Sequence, residues 1–459
     1  MADTTSTKIG GRLVRRRIAS SWRLCALLIV LSGAASAAAP GAAGEDRRVS
    51  WLRENVLAVR SIAAGDLDFS DLRPLGAILG NARVVMLGEI SHGDGSAFAA
   101  KVRLIEYLHR ELGFSVLAFE SGLYDCAKAW DLMGQGEDPG RAARRGVFGI
   151  WSGSEQAAPL WKYLGEQVRG PRPLELAGID NQFTASAAED FLLGDLERFL
   201  AGSGSRVWLG TAGWKAVRDG LAKLIADAEP KPPEAAVRQR FQHGIADLAH
   251  EIRRHGASPD SSFWLRVVDD ARVLALMDWE SDNARASRLR DEQMAANLVW
   301  LARERRPQAK IVVWAATRHI LGDLRGIELA GAGARQAYPG GAAMGAAARH
   351  ALGDAVFALG FLAADGAAGR LWEAPRALAA PPEGSLEDLL RCSGYALAVV
   401  DLRRPGAGGD WLREPLVARP LGYVPMRADW SRSLDGFFFI RTMTPSTRAA
   451  PPPSGGSVP

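Results

Sequence analysis

Seven short runs of apolar residues recur along the chain and alternate with longer stretches of helical periodicity. The runs lack regular polar alternation, which is typical of strands buried on both faces of a parallel sheet. Alternation of such strands with helices predicts an α/β fold, with a mostly parallel sheet and flanking helices. The predicted strands are residues 83–88, 115–120, 174–180, 310–315, 355–361, 397–401 and 436–441.

The region between the third and fourth predicted strands contains no convincing strand pattern. Its apolar residues follow helical periodicity, interrupted at the proline-rich stretch 229–233 because proline cannot continue a helix. We therefore predict a large helical insertion over about residues 183–290, with helices at 187–200, 214–228, 235–255 and 262–278.

The two ends of the chain differ from the rest. Residues 1–39 combine five arginines, a short apolar run at 24–31 and a small-residue end at 35–37, which is typical of a secretory signal peptide. An uncleaved anchor is the alternative, although the run is short for a membrane span. The signal predicts export to the periplasm or the cell exterior, with no stable membrane anchor after cleavage. The mature domain would span residues 50–447, followed by a disordered tail at 448–459.

Charge and cysteine content change this picture only slightly. The 459-residue chain has a formal charge of +4, and cleavage after Ala37 would remove six basic residues and one acid, giving +4 − 5 = −1. The basic character therefore belongs to the signal, and we predict no nucleic-acid partner. Cys126 and Cys392 would remain after cleavage and could form one disulfide, but their spacing excludes a zinc ribbon.

Ionisable residues stand at the ends of four predicted strands. Functional groups of open α/β sheets collect at the carboxyl ends of the strands, where loops leave the core. We therefore predict that these side chains meet in one site: Glu89 with His92, Glu120, Asp180 and, just beyond its strand, His319.

The stretch "LGEISHG" at residues 87–93 places Glu89 and His92 on a loop between Gly88 and Gly93. Glycine permits a sharp turn or a close approach of another backbone. Imidazole can take a proton from water, and a neighbouring carboxylate fixes its tautomer and stabilises the imidazolium. The alternative is that both side chains only satisfy backbone groups at the start of the next helix.

Most of the other charged residues near these strand ends have more than one interpretation. Lys101, beside the apolar stripe of the next helix, could bind a substrate oxyanion, pair with Glu89 or Glu120, or extend to solvent. Asp180, Arg290 and Asp291 could line the same cleft and bind substrate, although solvated surface charges are the alternative for the last two. Glu120 could be a site residue or part of a structural ion pair, and His319 a second acid/base or a packing residue. The remaining histidines are predicted at surface or packing positions: His109, His243, His250, His255 and His350.

Sequence signatures of other site classes are absent. The chain has no Gly-x-Ser-x-Gly elbow, no phosphate-binding loop followed by Lys-Ser/Thr and no His-Glu-x-x-His. Ser91 and His92 are adjacent, which is poor geometry for a serine–histidine dyad. Water is therefore the predicted nucleophile.

Several motifs, in order, give the chain a resemblance to the erythromycin esterase family that covers most of residues 50–447. They are "LGEISHGDGSAF", "AKVRLIEYLHRELGF", "VLAFESGLYD", "LAGID", "RDEQMAANLVWL", "KIVVWAATRHI", the Met344-Gly345 pair and "LDGFFFIRTMTPST".

The resemblance implies an α/β core with a large helical part, and hydrolysis of a lactone without metal through a histidine that activates water. Carried over by motif, His92 resembles that base, Glu89 its orienting residue, Glu120 the strand-end acid and His319 the last histidine of a "WAHNxH" segment. Ala316 and Thr317 stand where that segment usually has His and Asn, and Lys101 stands where the macrolide-inactivating enzymes tend to have arginine. The chain thus resembles a branch that has diverged from those enzymes.

Our main hypothesis is an exported hydrolase of an ester or lactone in a small molecule, with macrolide antibiotics as one candidate class and no cofactor. One alternative is a metal-dependent hydrolase, since carboxylate and imidazole ligands suit Zn or Mn. Its ligands would come from Glu89, His92, Glu120, Asp180 and His319. A second alternative is a catalytically inactive protein that binds a component of the cell envelope. The sequence indicates no oligomeric state.

Overall fold

A computed structural model describes residues 46–226, 232–254, 256–331, 335–338 and 342–450. The predicted signal peptide at 1–39 lies outside these residues. The described chain divides into two compact units. One comprises Phe191–Ser287, and the other comprises Arg47–Asp190 together with the chain from Arg288 onwards.

The larger unit is built on a nine-stranded sheet that contains all seven predicted strands, which confirms the α/β fold with a mostly parallel sheet. The strand order is β1-β10-β13-β8-β2-β5-β3-β4, and β9 pairs with β8. All neighbours from β13 to β4 are parallel, while β10, β1 and β9 pair in antiparallel fashion. The strands are β1 (Leu57–Ala58), β2 (Val84–Glu89), β3 (Val116–Gly122), β4 (Glu175–Asp180), β5 (Ile311–Ala316), β8 (Val356–Ala368), β9 (Arg376–Ala377), β10 (Leu397–Asp401) and β13 (Gly436–Met443).

Strand β8 is longer than the sequence predicts, because its carboxyl end continues to pair beyond the apolar run. Its residues as far as Gly366 align with β13, and Ala367 and Ala368 pair with β9. A separate antiparallel sheet of very short strands has the order β11-β12-β6-β7. Those strands are β6 (Glu328–Leu329), β7 (Arg335–Gln336), β11 (Leu416–Ala418) and β12 (Met426–Ala428).

Helices of the larger unit alternate with the strands, as the apolar pattern predicts. They are α1 (Arg47–Asn55), α2 (Arg73–Leu79), α3 (Gly95–Leu112), α4 (Leu123–Gly134), α5 (Pro139–Gly146), α6 (Gly149–Ser152), α7 (Ala158–Gln167), α13 (Thr317–Ile320), α14 (Met344–Leu352) and α15 (Leu386–Ser393). Helix α12 (Asn283–Trp300) enters this unit and continues as the π-helical turn Leu301–Arg305.

The described residues of the unit at Phe191–Ser287 form helices joined by turns and irregular segments, and they contain no strand. Its helices follow the predicted amphipathic stretches closely, since each stretch carries one buried apolar face. They are α8 (Leu193–Gly202), α9 (Ala212–Ala226), α10 (Ala235–Arg254) and α11 (Pro259–Asp278). A π-helical turn at Ala188–Leu192 precedes α8.

Helix α3 lies in the main hydrophobic core beside strands β13, β2 and β5. Nearly all of its residues are buried. Of its predicted apolar stripe, Phe98, Val102, Ile105 and Leu108 are buried and Leu112 is partly buried. Burying one large apolar side chain contributes roughly 1.5–3 kcal/mol, so this helix is firmly held. Because α3 has almost no exposed face, a charged residue on it must find its partner inside the protein.

The structure describes both cysteines of the predicted mature domain and the start of the C-terminal tail. Cys126 is buried, Cys392 is exposed and both are free thiols, so the disulfide is not formed. The tail is ordered for longer than predicted, because Arg448 pairs with Ser154 and Ala449 donates its N–H to the carbonyl of Gly153. The rest of that tail, 451–459, lies outside the described residues. Among the described residues, no helix has the length and apolarity needed to cross a membrane.

Candidate active site

Glu89 and His92 form a hydrogen-bonded pair at the carboxyl end of β2. His92 Nδ1 lies 3.1 Å from Glu89 Oε1. A carboxylate can only accept hydrogen bonds, so Nδ1 carries a proton, and in the neutral ring Nε2 is therefore the nitrogen with the lone pair. Within the described part of the chain, Nδ1 is the only ring nitrogen of His92 with a hydrogen-bond partner. The His92 side chain is 26% exposed whereas Glu89 is fully buried, so the pair has an open end and a fixed end.

The glycines on either side of this pair are required by close packing. A Cβ on Gly88 would lie 2.7 Å from the Cα of Thr317, and one on Gly93 would lie 2.7 Å from the backbone carbonyl carbon of Gly369. The next helix begins at the N-cap residue Asp94, where no side chain forms a capping hydrogen bond. The alternative in which Glu89 and His92 only satisfy that helix start is therefore wrong, because the two side chains bond to each other.

Lys101 completes the fixed end of the pair. Its side chain is fully buried, and Nζ contacts Glu89 Oε2 and donates to the Ala315 carbonyl at 3.0 Å. Burial lowers the pKa of Lys101, and the charge of Glu89 acts in the opposite direction. The prediction that Lys101 binds substrate is therefore corrected. Its ammonium is the counterion of Glu89, as the ion-pair interpretation proposed.

His319 lies between two carboxylates just after β5. Its Nδ1 is 2.7 Å from Asp291 Oδ1, and its Nε2 is 3.2 Å from Glu120 Oε1. Burial disfavours the imidazolium, but the charges of Glu120 and Asp291 outweigh it and raise the pKa of His319 to about 9. At neutral pH this histidine is a cation that can donate but not accept a proton. The predicted second acid/base is therefore restricted to the donor role.

Glu120 connects His319 to Arg290. Its Oε1 accepts from Arg290 Nη2 at 2.9 Å, and its Oε2 accepts from the backbone N–H of Ala316 at 2.9 Å. Burial would raise the pKa of Glu120, but the cations His319 and Arg290 hold it well below its usual range. Glu120 is therefore a permanent carboxylate inside the site.

Two arginines, Arg290 and Arg318, form the more exposed part of the charged group around His319. Arg290 binds Asp180 through Nε at 3.2 Å and Nη2 at 2.5 Å, and Arg318 donates from Nη1 to Asp291 at 2.7 Å. The two aspartates are buried, whereas Arg290 and Arg318 are 20% and 25% exposed. The predicted substrate-binding role of Asp180 and Asp291 is therefore corrected, because both carboxylates are engaged by cations. Arg290 keeps partial exposure to solvent.

The Glu89–His92 pair and the charged group around His319, which are the two halves of the site, belong to one electrostatic site. The pKa of Glu120 is lowered by His92 as well as by His319, so Glu120 interacts electrostatically with both histidines. Charges balance around them, with four carboxylates opposite four cations. The carboxylates are Glu89, Glu120, Asp180 and Asp291, and the cations are Lys101, Arg290, Arg318 and the protonated His319.

The donor atoms do not form a metal site in the part of the chain that the structure describes. No group of three His, Cys, Asp or Glu side chains there has an arrangement that could hold a metal ion. Both oxygens of Glu89 and both ring nitrogens of His319 already have protein partners. Among the residues proposed as metal ligands, Glu89, Glu120, Asp180 and His319 are thus already engaged by protein partners.

Several residues of the site carry no sequence signal that points to it. Trp151 donates from Nε1 to Glu89 Oε1 at 3.1 Å although it is 62 positions away. Tyr423 donates to buried Asp94 at 2.8 Å, and burial raises the pKa of Asp94 to about 7. Arg318 directly precedes His319, yet its bond to Asp291 depends on the position of helix α12. For Asp94, the one available sequence signal is its position directly after the "LGEISHG" motif.

Similar proteins include both named hydrolases and solved structures. A Bacillus subtilis (strain 168) protein named as a hydrolase, YbfO, is 25% identical over 92% of this chain and 96% of its own length. The Escherichia coli erythromycin esterase type II is 37% identical over only 16% of this chain and 18% of its own.

Two solved structures share the fold. A protein described as a succinoglycan biosynthesis protein matches with a TM-score of 0.71 at 18% identity, over 87% of this chain and 98% of its own. A mutant of the erythromycin esterase EreC in its open conformation matches with a TM-score of 0.63 at 16% identity, over 85% of this chain and 98% of its own. The model of the erythromycin esterase family matches residues 109–443, well over half of the 459 residues, and the chain therefore belongs to that family.

Proposed function

We propose that this protein hydrolyses an ester or lactone bond in a small molecule, with His92 as the general base that activates water. The observation that carries the proposal is the bond from His92 Nδ1 to buried Glu89, which leaves Nε2 able to accept a proton at the open end of the pair. Membership of the erythromycin esterase family and the hydrolase name of a relative support the reaction class.

In the proposed reaction His92 Nε2 takes a proton from water while the water oxygen attacks the carbonyl carbon. Glu89 stabilises the resulting imidazolium, and the nearby cations His319 and Arg290 stabilise the oxyanion that develops on the carbonyl oxygen. The tetrahedral intermediate then breaks its bond to the alkoxy oxygen, which takes the proton back from His92. The products are a carboxylic acid and an alcohol, and no atom is left unaccounted for.

The proposed reaction uses no metal ion. The supporting observation is that Glu89, Glu120 and His319 each engage protein partners through the atoms that a metal would need. Dialysis against a strong chelator should leave turnover within about twofold of the untreated protein, since the base acts on water directly. A loss that is reversed by added Zn²⁺ or Mn²⁺ would favour the metal-dependent alternative.

The test of the base is His92→Ala, compared with His350→Ala as a matched control on the exposed face of helix α14. On a panel of aryl esters and macrolide lactones, His92→Ala should lower turnover by roughly a hundredfold or more, and His350→Ala should leave it unchanged. A fall of less than about tenfold in folded His92→Ala contradicts the proposal. A folded wild-type protein that is inactive on the whole panel favours the binding-protein alternative.

We further propose that the protein is exported, on the basis of the signal-peptide pattern at residues 1–39. Expression of the full chain in a bacterium, followed by cell fractionation and mass determination of the N-terminus, tests this. A processed N-terminus near residue 38 in the periplasm or medium is expected, and an intact chain in the cytoplasm contradicts it.

A further inference from the structure

The indole of Trp151 touches both members of the Glu89–His92 pair. Its Nε1 donates to Glu89 Oε1 at 3.1 Å, and His92 Nδ1 lies 3.1 Å from the same oxygen. The indole and imidazole rings also meet edge to face, with centroids 5.4 Å apart and an interplanar angle of 86°. One buried side chain therefore contacts the base through its ring and the orienting carboxylate through its N–H.

The position of Trp151 is fixed by its own surroundings. It lies on the short helix α6 and is fully buried between Phe119 and Phe148, at centroid distances of 5.9 Å from each. Aromatic contacts of this kind hold a large ring in one orientation. The N–H of Trp151 is thus a preorganised donor aimed at Glu89.

We propose that Trp151 is a positioning residue, which fixes the orientation of the Glu89–His92 pair and moderates how strongly Glu89 attracts the proton of His92. The inference rests on the proposed function of His92. A hydrogen bond to a carboxylate stabilises its charge and therefore competes with the neighbouring imidazolium for that charge. Loss of the indole N–H should make Glu89 a stronger partner of protonated His92 and a less fixed one.

Other charged groups also act on the pair, and Trp151→Phe leaves all of them in place. Lys101 on helix α3 contacts Glu89 directly. Asp94 on the turn interacts electrostatically with Glu89, and Glu120 on β3 with His92. A change in the titration of His92 in this variant can therefore be assigned to the indole, through its N–H on Glu89 and its ring contact with His92.

The experiment compares Trp151→Phe with Trp161→Phe. Trp161 is also buried and packs on Phe119 at 5.5 Å, but among the described residues its Nε1 has no hydrogen-bond partner. The two variants therefore lose the same volume next to the same ring, and only one of them loses a bond to Glu89. Thermal unfolding of both verifies that each is folded.

Two readouts distinguish positioning from packing. The NMR titration midpoint of the His92 ring should move up by about half a pH unit in Trp151→Phe. A hydrogen bond to a charged acceptor corresponds to roughly one pH unit or more at the acceptor itself, and His92 senses this loss only through Glu89. The acid limb of the pH–rate profile should move with it, and kcat should fall about tenfold with KM nearly unchanged. Trp161→Phe should move neither the midpoint nor the limb.

An unmoved midpoint in folded Trp151→Phe, or an equal movement in Trp161→Phe, overturns the inference. The NMR titration needs no substrate, so this outcome is independent of turnover. Failure of the proposed function is recognised separately, by full activity of His92→Ala.

Discussion

The two histidines of the site lie at neighbouring strand ends but in opposite electrostatic environments. His92 has one carboxylate partner and a side chain that is 26% exposed, whereas His319 lies between two carboxylates and is 8% exposed. The two carboxylates together outweigh the effect of burial and keep His319 protonated near neutral pH. One partner orients a base, and two partners convert the same side chain into a fixed cation.

The carboxylates of the two halves are neutralised in different ways. Glu89 is matched by the ammonium of Lys101, which is a compact charge on a flexible stem. Glu120 and Asp180 share the planar guanidinium of Arg290. The half around His92 thus depends on one buried ion pair, while the half around His319 distributes its charge over several partners.

Breaking the Lys101–Glu89 pair should have the largest effect on stability. Lys101→Met leaves Glu89 buried without its counterion, which should lower the free energy of unfolding by about 3–5 kcal/mol. Denaturant titration measures the loss, with Lys215→Met as the control because Lys215 forms an exposed pair with Asp219. That control should change stability by less than about 0.5 kcal/mol.

Removal of both partners sharpens the same comparison. Lys101→Met combined with Glu89→Gln should recover a large part of the lost stability, because no uncompensated charge remains. If the double variant is as unstable as the sum of the two single variants, Lys101 is not the counterion of Glu89.

A smaller, pH-dependent effect should mark the half around His319. Its pKa is raised from 6.5 to about 9, so its stabilising contribution is complete below pH 6.5 and is lost as the pH rises through about 9. The wild type should be more stable than His319→Gln at pH 6, and this difference should shrink by roughly 3 kcal/mol towards pH 10. Denaturant titrations at several pH values measure it, and a difference that grows with pH contradicts the assignment.

The fold was predictable to the extent that each element carries its own pattern. Apolar runs located the seven principal strands because strands buried on both faces need apolar residues at nearly every position. The two- and three-residue strands, such as β6 and β12, escaped prediction because so short a segment has no period. The extension of β8 likewise depends on its partners β13 and β9 rather than on its own residues.

The sequence predicts which residues lie at the site better than it predicts which side chains pair with each other. Strand-end placement puts Glu89, His92, Glu120, Asp180 and His319 at one edge of the sheet, because parallel strands end at one edge. Which carboxylate meets which cation depends on helix positions that no local pattern determines. Lys101 illustrates this, since its place beside an apolar stripe is equally consistent with a solvent-exposed tip and a fully buried ammonium.

The central claim is that His92 supplies the base whereas His319 supplies only charge, and chemical rescue tests it most directly. Added imidazole can occupy the space left by a deleted histidine ring and accept a proton there. Imidazole should restore turnover at least about tenfold in His92→Ala and not in His319→Ala, since only the first variant lacks a base. Rescue of His319→Ala without rescue of His92→Ala would contradict the account and exchange the roles of the two histidines.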